Sequence, residues 1–221
     1  MTVLNFEVQP PSGVDLRALR LRLRGDLVLP WDPGWDDAGR AWNLSVDQRP
    51  FAVALVETPE DVVCVVRFAR LHGLRAAPQG TGHGASSLES LEDVILVKTE
   101  RMRRVEIDAE SRTARAEAGA LWQDVVEPAA EQGFVVLHGS SPDVGVVGYT
   151  LGGGMGWLAR RRGLSANSVA AVELVTADGL LVRADRHNEP DLFWAVRGGG
   201  GSFGIVTAIE IELFDAPFRT R

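Results

Sequence analysis

Residues 79–85 read Gln79-Gly80-Thr81-Gly82-His83-Gly84-Ala85, and the reading of this stretch governs the rest of the chain. Glycines alternate with polar residues, and one imidazole stands among them. Two further glycine-rich stretches follow, at 145–156 and 198–204, and none of the three contains a lysine. Backbone N–H groups in such turns can wrap a diphosphate without a cationic side chain. The glycines flanking His83 add little bulk, so its ring can approach a flat ligand closely. Together these features point to a dinucleotide with a planar end, a flavin, and to a histidine close enough to bond with it.

Two common alternatives fail on context. Gly80, Gly82 and Ala85 match G-x-G-x-x-A, and Gly199, Gly201 and Gly204 match G-x-G-x-x-G. A Rossmann unit needs a long helix after such a turn, then a parallel strand. Only about eight residues, Ala85–Glu92, precede the next strand-like run, too few for a crossover helix. A strand-like run follows the third match directly. No G-x-x-x-x-G-K-[ST] occurs, which removes the common nucleotide triphosphatase reading.

The 221 residues carry a net charge of −7, with a pI near 5.2 and 45% hydrophobic residues. Such a balance argues against nucleic acid or an anionic membrane as the main partner. No apolar run reaches the length of a membrane span. Met1–Glu7 lacks a basic segment followed by a long apolar one, so a secretory signal is not expected. Cys64 is the sole cysteine, which rules out an internal disulfide and suits a cytoplasmic location. His72, His138 and His187 sit at helix and turn edges and read as structural. No histidine pair has ligand spacing with carboxylates, and no metal site is expected.

Along the chain, 15–24 reads as a short helix or strand after a capping Asp15, with the two unseparated. Residues 25–50, with Trp31, Trp35 and Trp42, read as an irregular but packed segment. Thr58, Pro59 and Glu60-Asp61 start a helix that Gly73 ends. Strands are expected at Leu74–Pro78, Asp93–Lys98, Arg104–Ile107, Thr113–Glu117 and Phe134–Leu137. A helix kinked at Pro128 is expected over Leu121–Gln132. Val169–Thr176 and Leu180–Ala184 flank the turn Ala177-Asp178-Gly179 and read as a hairpin. A short helix over Asp191–Val196 and a half-buried strand over Ile205–Phe214 complete the reading. The fold class is α+β, with an N-terminal segment at 1–26 and a two-lobed domain over 27–221. Its lobes are expected at about 27–105 and 106–214.

Six ordered motifs carry a resemblance to a known family. They are Thr58-Pro-Glu-Asp-Val62, Gly82-His-Gly84, Gly119-Ala-Leu-Trp122, Val144–Gly156, Val175-Thr-Ala-Asp-Gly179 and Asp191–Val206. Over about residues 27–214 the chain resembles the FAD-binding domain of the vanillyl-alcohol-oxidase (PCMH) type. Within that family it is most similar to the berberine-bridge-enzyme-like oxidases. The resemblance implies FAD bonded through its 8α-methyl to His83. Many members add a second bond from a cysteine ahead of a Pro-x-Val-Gly. Here Ser141 stands before Pro142, so a second link is not expected.

By the same resemblance, Gln79, Gly80, Thr81, Gly82, His83, Gly84 and Ala85 would hold the cofactor from the first loop. Ser141, Pro142, Val144, Gly145, Gly148, Tyr149, Gly153, Gly154 and Gly156 would do so from the second. Gly204, Ile205 and Val206 would pack along the adenosine side. The resemblance further implies hydride transfer from a small organic substrate, with oxygen as the acceptor. Family members add a substrate domain of comparable size, which is expected to be absent here. The catalytic base is therefore not assigned. Alternatives are a non-catalytic flavin-binding module, a split subunit that pairs with a separate substrate subunit, and a homo-oligomer. A noncovalent FAD domain of the D-lactate dehydrogenase or cell-wall reductase kind is disfavoured by the Gly-His-Gly loop.

Overall fold

The computed structural model describes residues 14–87 and 90–216, and two sheets organise them. The first region runs α1 (Leu16–Arg20), β1 (Asp26–Val28), α2 (Trp35–Ala38), β2 (Ala52–Leu55), α3 (Pro59–Leu71), β3 (Arg75–Gln79) and β4 (Val94–Lys98). Its sheet has the order β1-β2-β4-β3, with β1 antiparallel to β2 and β4 parallel to both β2 and β3. The stretch at 15–24 resolves as helix because the Asp15 carboxylate accepts from the N–H groups of Arg17 and Ala18. That is an N-cap interaction unavailable to a strand. Helix α3 starts where its residues demand: Thr58 Oγ1 accepts from the Asp61 N–H at 3.3 Å, and Pro59 occupies the first turn. It buries Val62, Val65, Val66 and Ala69 along one stripe against the sheet.

Strands β3 and β4 are parallel neighbours although, among the described residues, no α-helix joins them. The described part of their connection carries one 3-10 turn, Ala85–Ser87. The Rossmann reading therefore fails for want of the helix alone, since the parallel strand is present. Strands β1 and β2 both escape the sequence reading, β1 lying inside the segment taken as irregular. That segment is packed through Leu27, Leu29 and Ala41, whereas Trp31 and Trp42 remain more than half exposed.

The second region runs β5 (Val105–Asp108), β6 (Thr113–Glu117), α4 (Trp122–Glu131), β7 (Phe134–Val135), α5 (Val146–Leu151) and α6 (Ala159–Arg162). It continues through β8 (Val169–Val175), β9 (Leu181–Asp185), α7 (Pro190–Gly199), β10 (Ile205–Glu212) and β11 (Phe214–Asp215). Its main sheet has the order β5-β6-β10-β8-β9, antiparallel throughout, and β7 pairs with β11 apart from it. Strand β10 is buried on both faces up to Ile209 and alternates only from there. The cause is its position at the centre of the sheet. Pro128 lies within α4 without ending it. Helix α7 departs from helical geometry at Arg197 and Gly198, where the third glycine stretch begins.

Two hydrophobic clusters hold these layers. One, centred on Trp122, Val125, Val172, Ile209 and Ile211, lies within the second region. The other, centred on Val62, Val65, Ile95, Val97 and Met102, lies beneath α3 and also takes Val175 and Ile205 from the second sheet. The two sheets therefore share a core. The Asp61 carboxylate, 2% exposed, accepts from the N–H groups of Arg24 (2.7 Å), Gly25 (3.2 Å) and Glu57 (2.9 Å), fixing the N-terminal segment to α3. On the solvent face of the larger sheet, Arg115 grips Glu173 through two bonds of 2.9 and 2.7 Å, and Arg183 grips Glu210 likewise at 2.6 and 2.9 Å.

Candidate functional site

Gln79 ends β3, and its carbonyl accepts from the Thr99 N–H at 3.1 Å. The chain then turns through Gly80–Gly84 over the end of the first sheet. Gly82 adopts φ +84°, a conformation open to glycine, and packs on Ala41 so closely that a Cβ would lie 2.8 Å from the alanine methyl. This forced turn presents His83. Its Nδ1 lies 2.7 Å from Thr81 Oγ1, and its ring stacks on the Trp42 indole at 4.0 Å between centroids and 18° between planes. Among the described residues no acceptor meets the N–H groups of Gly82, His83 and Gly84.

The second stretch lies beside the first, since a Cβ at Gly145 would meet Thr81 Cγ2 at 3.8 Å. It is pinned to the start of α4: the Trp122 N–H donates to Val144 O, Gln123 N–H to Pro142 O, and Val146 N–H to Ala120 O, each at 3.0 Å. Sequence reasoning takes 145–156 as a loop, but Val146–Leu151 form a helix. Burial of Val146, Thr150 and Leu151 on one side supplies the helical period that the surrounding glycines conceal. Ser141 and Pro142 are exposed. Gly153 and Gly154 fold back on 165–166, their carbonyls accepting from Ala166 N–H (3.0 Å) and Ser165 N–H (2.8 Å). Tyr149 meets the Trp122 ring edge-on at 5.5 Å, and burial pushes its phenol above the usual range.

The third stretch joins the first through Gly201, whose Cβ would sit 3.5 Å from Pro78 Cγ. Gly204 packs on the Val175 carbonyl. Ile205 and Val206 are 4% and 6% exposed and point into the two cores, so a ligand can reach only their backbone. The structure thus brings the three glycine stretches together, and Ala85 at the end of the first is buried.

Whether a dinucleotide fits can be judged from the glycines themselves. Gly82, Gly154 and Gly156 are explained by crowding from Ala41, Ser165 and His138. Gly84 and Gly148 are not: an added Cβ would meet nothing within 4 Å, and neither has positive φ. Gly145 meets only an ordinary contact at 3.8 Å. Gly148 lies inside a helix, where glycine costs about 1 kcal/mol relative to alanine. Side chains are absent there although the fold leaves room for them, as expected where a ligand lies against the backbone. Two buried polar groups add to this. Both side-chain amide atoms of Gln79, and the Tyr149 hydroxyl, have no partner among the described residues. Buried polar groups are seldom left so, and these residues suit a polar ligand.

Sequence reasoning missed three residues of this region. Trp42 N–H donates to Thr81 O at 2.9 Å, and its indole N–H donates to Asp143 at 3.1 Å. Lys98, its side chain 5% exposed, donates to Arg40 O at 2.8 Å from beneath, and burial pushes its ammonium below the ordinary lysine range. An isolated aromatic in an irregular stretch gives no periodic signal, and a lysine on a continuously apolar strand reads as an ordinary edge residue.

The comparisons agree with this geometry. Residues 50–185 match the family described as FAD binding domain. The (R)-6-hydroxynicotine oxidase of Paenarthrobacter nicotinovorans is 33% identical over 200 residues, covering 90% of this chain and 44% of that protein. Among solved structures, a berberine-bridge-enzyme-like protein of Physcomitrella patens matches with a TM-score of 0.84 at 29% identity, over 91% of this chain and 44% of that one. A glucooligosaccharide oxidase from Acremonium strictum, described with a 6-S-cysteinyl, 8α-N1-histidyl FAD, matches with a TM-score of 0.82 at 33% identity, over 91% and 43%. The chain belongs to the FAD-binding domain family of the berberine-bridge-enzyme-like, vanillyl-alcohol-oxidase-type flavoproteins. It spans less than half the length of these relatives. Among the described residues no helix is long and apolar enough to cross a membrane.

Proposed function

We propose that this chain is the flavin-holding part of an FAD-dependent oxidase and that His83 bonds covalently to the flavin. The observation that carries the reading is the approach of the second and third glycine stretches to the one that holds His83, at Thr81 and Pro78, with room left at Gly84 and Gly148 that the fold does not require. When bound, FAD supplies two-electron oxidation of an organic C–H donor, with oxygen as the acceptor. The chain's own residues do the rest. The N–H groups of Gly82–Gly84, which meet no acceptor among the described residues, would hold the diphosphate, and the Gln79 amide and Tyr149 hydroxyl would offer it or the ring system polar partners. The Thr81 hydroxyl, 2.7 Å from Nδ1, fixes the tilt of the His83 ring.

The substrate belongs to the small organic donors on which the relatives act, and its recognition draws on polypeptide beyond these residues, in a longer chain or a partner. A second reading is a flavin-binding module without turnover of its own. The test is to express the chain, denature it in acid and look for yellow fluorescence that stays with the polypeptide. His83→Ala is expected to release the flavin, and Ser141→Ala to retain it. Colour that persists in His83→Ala would refute the attachment. Hydrogen peroxide release with an added donor separates the oxidase from the inert module.

A further inference from the structure

Trp42 is an exposed aromatic held as though it were a core residue. Its side chain stands 58% open to solvent, yet it is fixed at three points. Its N–H donates to Thr81 O, its indole N–H donates to Asp143, and its ring lies flat on His83. The preceding residues are anchored as well: Lys98 donates to Arg40 O from below, and Ala41 packs under Gly82. Every one of these contacts joins residues 40–42 to the first glycine stretch, to the strand beneath it, or to the second stretch. None contributes to either hydrophobic cluster.

Stacking constrains an imidazole in a particular way. The indole occupies one face of the ring and covers neither nitrogen, since their lone pairs and hydrogens lie in the ring plane. Thr81 then fixes the rotation about the ring axis. A nucleophilic nitrogen must meet its target along that plane, so face contact on one side and edge contact on another define the approach. We propose that Trp42 is a positioning residue for His83, orienting the imidazole for bond formation with the flavin. Through Asp143 it couples that orientation to the seating of the second glycine stretch. This rests on the reading of His83 as the attachment residue. The bond joins one imidazole nitrogen to the 8α carbon. One hydrogen leaves the methyl group and one the imidazole, and both pass with two electrons to dioxygen, giving hydrogen peroxide.

The full chain, freed of flavin, is mixed with FAD, and the covalently bound fraction is followed by fluorescence of the denatured protein. Trp42→Ala and Trp42→Leu are expected to slow attachment by about tenfold or more, the factor that loss of one good ring contact confers. Noncovalent FAD binding should persist in both. Trp42→Phe, which keeps a ring over His83, should restore the rate to within about threefold. In parallel, the His83 ring protons of the flavin-free protein are observed by NMR. They should lie upfield through the indole ring current and move downfield in Trp42→Leu, a readout that needs no flavin. Attachment at the parental rate in Trp42→Leu, or unmoved His83 resonances, would overturn the proposal. Covalent flavin in His83→Ala would instead overturn the attachment reading while leaving the stack intact.

Discussion

Gly156 packs against His138 so tightly that a Cβ would lie 2.0 Å from the histidine carbonyl oxygen. At Gly148, in the same stretch, the added atom would meet nothing within 4 Å. The two glycines therefore serve different ends, and alanine separates them. Gly156→Ala forces the backbone apart and should cost about 3 kcal/mol or more. Gly148→Ala should leave the flavin-free protein equally stable or raise its stability by up to about 1 kcal/mol, through helix propensity. The same change should weaken FAD binding. Thermal melts of the flavin-free proteins, paired with FAD titrations, check both halves.

Asp61 provides a test of the N-terminal anchor. Its buried carboxylate accepts three backbone N–H groups, from Arg24, Gly25 and Glu57. Asp61→Ala strands these donors and should destabilise the fold by about 3–5 kcal/mol. Urea unfolding measures the loss. A change below about 1 kcal/mol would show that water reaches the donors.

Acid should loosen the protein as its depressed carboxylates are protonated. Bonds from Asn188 and from the His187 and Asn188 N–H groups hold the Asp185 carboxyl at about 2, below its ordinary 3.8. The Arg115 guanidinium holds Glu173 below the usual carboxylate range in the same sense. For groups depressed on folding, the stabilising contribution is present above the unfolded value near 4 and fades as pH falls through the folded one. Stability is thus expected to decline between about pH 4 and 2. Asp185→Asn should flatten that slope, and stability measured at several pH values in this range would reveal it.

Lys98 should matter beyond its charge. It fills a buried site under the first glycine stretch and satisfies the Arg40 carbonyl. Lys98→Ala leaves a cavity and an unpaired acceptor, with an expected loss of about 2–4 kcal/mol in chemical denaturation.

Much of this architecture was legible in the residues. Helix α3 announces itself through Thr58, Pro59 and its valine stripe, and the hairpin of β8 and β9 through Ala177-Asp178-Gly179. What stayed hidden has physical causes. Ala52–Leu55 is a continuous apolar run too short to have a period. The parallel pairing of β3 with β4 is a matter of sheet order, which alternation does not encode. Helix α5 hides among glycines because its burial pattern, and not its propensity, makes it helical. The three glycine stretches were visible in the sequence, and their approach at Thr81 and Pro78 was not. Nor was the Trp42 contact, because it joins residues that only the folded backbone brings side by side.

The shared core has a bearing on how the chain is made. Ile205 and Val175 complete the apolar layer under α3, so the earliest-synthesised sheet stays unsealed until the ribosome has passed residue 205. Contacts of such long sequence separation slow folding and expose sticky intermediates. A nascent chain stalled before β10 should engage chaperones or aggregate, and release of β10 should act as the latch for both halves at once.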